Sequence, residues 1–170
     1  MSTILKKAKK IKLIATDIDG VWTDSKMYYT SDGVFMKAFS TYDGMAADLL
    51  LKHQFIIAMI TSEYENTDIL QARANKLNIK EVYVNEHNKL KRIQYLITKY
   101  KITSENIAYI GDDLNDLEAL QYVGLSASPK NAPILDYFQP DMITDKKGGE
   151  GAFRELANLI FKAHNIKLKY

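Results

Sequence analysis

The chain of 170 residues has no cysteine, so no disulfide can staple it, a composition that suits a reducing compartment. Proline and glycine are both scarce, at 3 and 8, and no stretch rich in either marks a linker or a low-complexity seam. Neither sign of charge dominates: 23 basic residues stand against 21 acidic ones, which gives no electrostatic footprint for nucleic acid. No apolar run approaches the roughly 20 residues of a membrane-spanning helix, and the N-terminus lacks a signal-peptide core. These absences lead to the expectation of a cytoplasmic protein, one domain over residues 1–170, with neither membrane nor nucleic acid as partner. The length is sufficient for a real core. The cluster Lys6, Lys7, Lys9 and Lys10 reads as a solvated, partly frayed end.

What is present is alternation. Short apolar runs at 11–16, 55–60 and 107–110 have the length and flanks of buried strands, and weaker ones fall at 81–84, 124–128 and 141–144. Between them the spacing predicts helices at 44–53, 67–77, 90–100, 114–123, 132–138 and 151–164. Strand and helix in turn mean an α/β fold around a parallel sheet. The exception is 26–39, where two apolar segments flank Ser31-Asp32-Gly33 and predict a β-hairpin. Its residues Met27, Tyr28, Tyr29, Val34, Phe35 and Met36 are apolar on both faces, and a two-stranded ribbon cannot bury both against its own domain. It is expected to pack against other subunits.

The chemistry gathers where the strands end. Asp17-Ile18-Asp19-Gly20 closes the first run, and Gly111-Asp112-Asp113-Leu114-Asn115-Asp116 closes the run at 107–110. Ligands of open α/β sheets bind at these carboxyl ends. A lone Asp-x-Asp-Gly is more often an ordinary turn, but two acidic clusters, each closing a strand, repel one another unless a hard cation sits between them. Ligands that are oxygen only select Mg²⁺ over zinc. Asp112 and Asp116, four apart, come together within one helical turn. The run at 55–60 ends at Thr61-Ser62, where a hydroxyl and backbone N–H groups suit an anion. Asn88 is placed to cap the helix that follows, beside Lys89. With Lys91 and Arg92 next to it, Lys89 by itself reads as a surface lysine.

In order and spacing, Asp17-x-Asp19-Gly20, Thr61, Lys89 and Gly111-Asp112-Asp113-x-x-Asp116 resemble the four motifs of the haloacid dehalogenase superfamily, over about residues 12–154. The resemblance implies a Rossmann-like three-layer α/β/α sandwich and phosphoryl transfer through an aspartyl phosphate, with Asp17 as nucleophile and Asp19 as general acid and base. It implies Mg²⁺ held by the Asp17 carboxylate, the Asp19 carbonyl and the Asp112 carboxylate, phosphate binding by Thr61, Ser62 and Lys89, and support from Asp113 and Asp116. Neither residues 20–60 nor 62–88 leave room for the cap domain common in this superfamily. The capless chain therefore needs a large substrate or a neighbouring subunit to close its site.

Within the capless group, Asp17–Asp24 by number, the segment Phe39-Ser40-Thr41-Tyr42-Asp43-Gly44 and Gly148-Gly149-Glu150-Gly151-x-x-Arg154-Glu155 resemble the phosphatases of 2-keto-3-deoxy sugar acids. These are typically homotetramers built on their hairpins, and the resemblance adds Thr41, Asp43 and Gly44 to the substrate contacts. Where eight-carbon enzymes carry Thr-Gly-Arg, this chain has Thr61-Ser62-Glu63, and a glutamate repels a carboxylate. The variant resembles nine-carbon enzymes, so Glu63 (or Glu65, two residues on) is expected to read the sugar. Arg73, with Lys76 as a second choice, is the expected carboxylate partner. The resulting expectation is a Mg²⁺-dependent phosphatase of a nonulosonate 9-phosphate of the sialic-acid type. The alternative is 3-deoxy-D-manno-octulosonate 8-phosphate, of lipopolysaccharide biosynthesis. A distant third is a non-catalytic assembly module.

Overall fold

The computed structural model describes residues 2–65 and 67–168. Six strands form one all-parallel sheet in the order β5-β4-β1-β6-β7-β8. They are β1 (Leu13–Thr16), β4 (Ile56–Ile60), β5 (Glu81–Tyr83), β6 (Ile107–Ile110), β7 (Leu125–Ser128) and β8 (Met142–Ile143). β1 lies at the centre, pairing Leu13 with Ile56 on one side and with Ile107 on the other. Both faces of β1, β6 and β7 are buried, which is why β1 and β6 read as nearly continuous apolar runs; β7 buries Ser126 and Ser128 as well.

Alternate residues of each strand feed two separate cores. Ile14, Ile57, Met59, Ala108 and Ile110 face one side, where α2 (Thr41–Lys52), α3 (Asp68–Lys76) and α6 (Ala152–Ala163) pack. Leu13, Ala15, Ala58, Ile60 and Tyr109 face the other, beneath α4 (Lys89–Tyr100) and α5 (Leu117–Tyr122). In α6 the residues Phe153, Leu156, Ala157, Ile160 and Phe161 recur at helical spacing and are all buried, a stripe that seats the helix. Trp22 packs on Phe153 at 4.6 Å between ring centroids, and its indole N–H donates to Thr16 Oγ1 at 3.1 Å. It is a packing residue, fully buried.

The expected three-layer parallel sandwich is what forms, without a cap domain among the described residues. The hairpin also forms, as β2 (Tyr28–Thr30) and β3 (Gly33–Met36). Only Val34 of its apolar residues is buried; Tyr29 and Phe35 stand 61% and 68% exposed. Two local expectations are corrected. Residues 132–138 make only a short 3₁₀ turn, Pro133–Asp136, because Pro129 and Pro140 bracket a segment too short to propagate an α-helix. The basic N-terminus is not frayed: α1 (Thr3–Ala8) packs against α6 through Ile4, Leu5 and buried Ala8. Its lysines stay at the surface, with Lys7 bonding Asp141 at 2.5 Å and Lys10 bonding Glu105 at 3.0 Å.

Candidate active site

Three loops leave the carboxyl ends of β1, β4 and β6 and line an open cleft of about 690 Å³, and Lys89, after β5, reaches Asp17 from behind it. Asp17, Asp19, Thr61, Ser62, Glu63 and Asp112 line it, joined by Asp113, Asn115 and, from the hairpin side, Met27 and Tyr29. The loop after β1 turns at once, with the N–H groups of Val21, Trp22 and Thr23 all donating to the Ile18 carbonyl. Gly20 makes this possible at φ +97°, and it has a second reason to be glycine. A Cβ there would lie 1.9 Å from Asp112 Oδ2. The two acidic loops touch through the one position with no side chain.

At the centre is a buried cation. Lys89 Nζ lies 2.7 Å from Asp17 Oδ1 and 2.6 Å from Asp116 Oδ1, with Lys89 only 2% exposed. Burial works against its charge, but the two carboxylates outweigh that and hold its proton more firmly than usual. The surface reading suggested by Lys91 and Arg92 is thereby corrected. Asn88 caps α4, its Oδ1 accepting from the Lys91 N–H at 2.8 Å, and the cap sets Lys89 at the first helical position, aimed inward.

Asp116 is fully engaged. Beyond Lys89 it accepts from the Tyr109 hydroxyl and from the backbone N–H of Asp112 at 2.9 Å and Asp113 at 3.3 Å. It therefore holds its own loop in shape. Asp113 accepts from the Leu114 N–H and caps the 3₁₀ turn Leu114–Asp116, reaching the cleft rim.

One oxygen from each of Asp17, Asp112 and Asp116 lies within 4.8 Å of the others, all three residues buried. Burial, then the charge of Asp116, pushes the Asp17 carboxyl up to about 6, against the pull of Lys89. Burial, then the charges of Asp17 and Asp116, pushes Asp112 up to about 9. Two such groups do not both ionise at neutral pH beside one lysine. A divalent cation between them removes the conflict, and a donor set made only of oxygen fits Mg²⁺.

Thr61 is buried, and its Oγ1 accepts from the Glu63 N–H at 3.1 Å; Ser62 Oγ accepts from Asn115 at 3.2 Å, tying the loop after β4 to the loop after β6. Glu63 turns back on its own loop. Its Oε1 accepts from the N–H groups of Tyr64 and Glu65, both at 2.9 Å, and its Oε2 lies 3.8 Å from Lys37.

Five residues expected at the substrate lie elsewhere in this chain. Asp43 is fully buried, accepting from the Arg154 N–H at 2.8 Å at the start of α6; burial pushes its carboxyl up to about 6. Gly44 lies against Arg73, whose Nη2 donates to the Ser40 carbonyl at 3.2 Å while its guanidinium sits over Phe39. Arg73 thus clamps the start of α2. Thr41 and Lys76 are exposed on their helices, away from the cleft. Helix-borne side chains reach only the neighbouring turn and what packs on it, and α3 packs its Arg73 face toward α2.

Sequence reasoning missed Lys37. It follows β3, its side chain is 6% exposed, and it bonds both oxygens of Asp19, at 2.7 and 2.9 Å. Its one signal was a lysine ending an otherwise apolar hairpin strand.

A parallel α/β sheet with paired aspartates, a buried lysine and a hydroxyl loop at its carboxyl end defines a phosphohydrolase-type site. The chain belongs to the haloacid dehalogenase-like hydrolases, whose family model matches residues 4–151. It is 34% identical over 160 residues to the 3-deoxy-D-manno-octulosonate 8-phosphate phosphatase KdsC of Escherichia coli K12, covering 94% of this chain and 84% of that one. The crystal structure of 3-deoxy-D-manno-octulosonate 8-phosphate phosphatase from Moraxella catarrhalis, in complex with magnesium, phosphate and KDO, aligns with a TM-score of 0.91 at 38% identity. That alignment covers 97% of this chain and 94% of that one. The corresponding enzyme from Yersinia pestis gives 0.91 at 34% identity, over 96% and 87%. The chain is a phosphoric monoester hydrolase of this superfamily.

Proposed function

We propose that this protein hydrolyses 3-deoxy-D-manno-octulosonate 8-phosphate to the free eight-carbon sugar acid and phosphate. The observation that carries the reading is identity of 34–38% along nearly the whole chain to enzymes of that activity, with three motif loops lining one cleft and Lys89 bonding Asp17 at its floor. The nine-carbon expectation rested on Glu63. One oxygen of that glutamate is engaged by its own loop and the other faces Lys37, so it supports the nine-carbon reading poorly. The intact Asp17, Lys89 and Asp112 arrangement speaks against a non-catalytic module.

In the proposed reaction Asp17 Oδ attacks phosphorus, and the bond to the sugar oxygen breaks as Asp19 gives that oxygen a proton. Asp19 then takes a proton from water as the water oxygen attacks phosphorus and releases Asp17. Lys89, Thr61 and Ser62 bind the phosphoryl oxygens, Lys89 also keeping Asp17 aimed. The Asp17 and Asp112 carboxylates and the Asp19 carbonyl would hold Mg²⁺, which when bound would offset the charge that otherwise sets carboxylate against phosphate. Asp113 and Asp116 shape the loop after β6. The proposal includes a homotetramer formed through the hairpin, supported by the exposure of Tyr28, Tyr29, Phe35 and Met36.

The test is phosphate release, with Mg²⁺ and with EDTA, from the eight- and nine-carbon sugar acid phosphates side by side. Metal-dependent preference for the 8-phosphate is expected. Preference for the 9-phosphate restores Glu63 as the specificity residue and overturns the substrate assignment.

A further inference from the structure

Asp19 has to present one carboxyl oxygen to the leaving group and then to water, yet it follows the strand end on a loop. Two side chains among the described residues bond its carboxylate. Thr23 Oγ1 donates to Oδ1 at 3.3 Å, a long bond. Lys37 Nζ donates to Oδ1 at 2.9 Å and to Oδ2 at 2.7 Å. Lys37 comes from the end of the hairpin, whereas Asp17, Asp19, Thr61, Lys89 and Asp112 all follow strands of the main sheet. Its side chain is 6% exposed, while that of Asp19 is 19% exposed and lines the cleft. On its other side Lys37 approaches Glu63 Oε2 at 3.8 Å, so the ammonium is held between two loops of the site.

We propose that Lys37 is a positioning residue for the proton transfer to the leaving group: by gripping both oxygens of Asp19 it keeps that carboxyl facing the cleft. This rests on the phosphatase reading and deepens it. Lys37 touches neither phosphorus nor the sugar; it acts through Asp19. A bidentate grip restricts the side-chain torsions that a single long bond from Thr23 leaves loose. It also makes the hairpin, which projects apolar residues outward, a mechanical part of the site.

The experiment compares two esters in wild type, Lys37→Met and Lys37→Arg. One is the 8-phosphate, a primary alkyl ester whose alkoxide must be protonated as it leaves. The other is p-nitrophenyl phosphate, whose phenolate leaves without a proton. The quantity read is kcat/KM, which covers only the steps through departure of the alcohol. With Lys37→Met, kcat/KM for the alkyl ester is expected to fall by about 10- to 100-fold, up to the low end of what general acid catalysis supplies, since Asp19 itself remains. For the aryl ester it is expected to stay within about threefold on the same reasoning. Lys37→Arg, whose fork can also hold both oxygens, is expected to recover most of the loss. It also stands in for Lys37→Met should circular dichroism show that the latter does not fold, with the same comparison of esters applied to whatever loss it shows. Equal losses on both esters, or no loss on either, overturn the positioning role while leaving the phosphatase reading standing. Wild-type protein that turns over neither ester overturns that reading, and the proposal with it.

Discussion

Gly20→Ala tests whether the cleft depends on the close approach of its two acidic loops. The added Cβ would stand 1.9 Å from Asp112 Oδ2 and 2.3 Å from its Cγ, in a backbone conformation of φ +97°. Reaching ordinary contact near 3.4 Å requires the carboxylate to retreat by about 1.5 Å (3.4 minus 1.9). Displacement of a reacting or metal-holding group by about 1 Å lowers rates by roughly 100-fold. The expected loss in kcat/KM is therefore at least about 100-fold, or about 3 kcal/mol of transition-state stabilisation. The strained φ adds a stability loss of about 1–3 kcal/mol, which lowers the melting temperature without unfolding the chain. The assays are Mg²⁺ titration of phosphate release and a thermal melt of the same preparation. Activity within about twofold of wild type, in a protein that melts normally, would show that Asp112 tolerates displacement; the metal-site argument would then fail.

Two further outcomes follow from the burial of the carboxylates and from the hairpin. Asp17 and Asp112 bind protons more tightly folded than unfolded, at about 6 and about 9 against an ordinary 3.8. Stability without metal is therefore greatest at low pH and falls as pH rises through those values, the opposite of a salt-bridged carboxylate. Asp43 contributes a similar decline near 6 that no metal relieves. The diagnostic is therefore the gap in melting temperature between Mg²⁺ and EDTA, expected to widen between about pH 5 and pH 9; a constant gap would refute it. Phe35→Asp places a charge on the most exposed apolar position of the hairpin and is expected to reduce the proposed tetramer to smaller species in light scattering, whereas an unchanged mass would remove the hairpin from the interface.

The parts legible from sequence were those fixed by strand ends. Asp17 and Thr61 directly follow an apolar run and Asp112 follows one after a single glycine, so locating the strand located the residue. The centre of the sheet was legible because β1, β4 and β6 are almost wholly apolar, whereas β5 and β7 bury Glu81, Ser126 and Ser128 and gave the weaker signals. Lys89 was ambiguous by itself: a lysine beginning a helix beside Lys91 and Arg92 looks solvated, and only the approach of Asp17 and Asp116 from distant loops makes burial favourable. Lys37 was illegible for the same reason in reverse, since nothing local says that a hairpin strand folds back over the first loop. Arg73 and Asp43 were misplaced because a helix position specifies a direction only once its packing partner is known. Asp43 turned out to hold the start of α6, and Arg73 the start of α2. The short turn at 133–136 yielded to its flanking prolines.

The placement of β1 in mid-sheet has a consequence for how the chain is made. Its partners, Ile56 onward and Ile107 onward, are far along the sequence, so the first strand to be synthesised stays half-covered until β6 has emerged. Until residues as distant as Ile110 have emerged, Leu13, Ile14 and Ala15 have bare edges, and parallel pairings over such loops form slowly. Asp17 meets Asp112 only when that closure is complete. The repulsion between the two carboxylates therefore belongs to the final docking of β6 beside β1, and the early chain collapses without it.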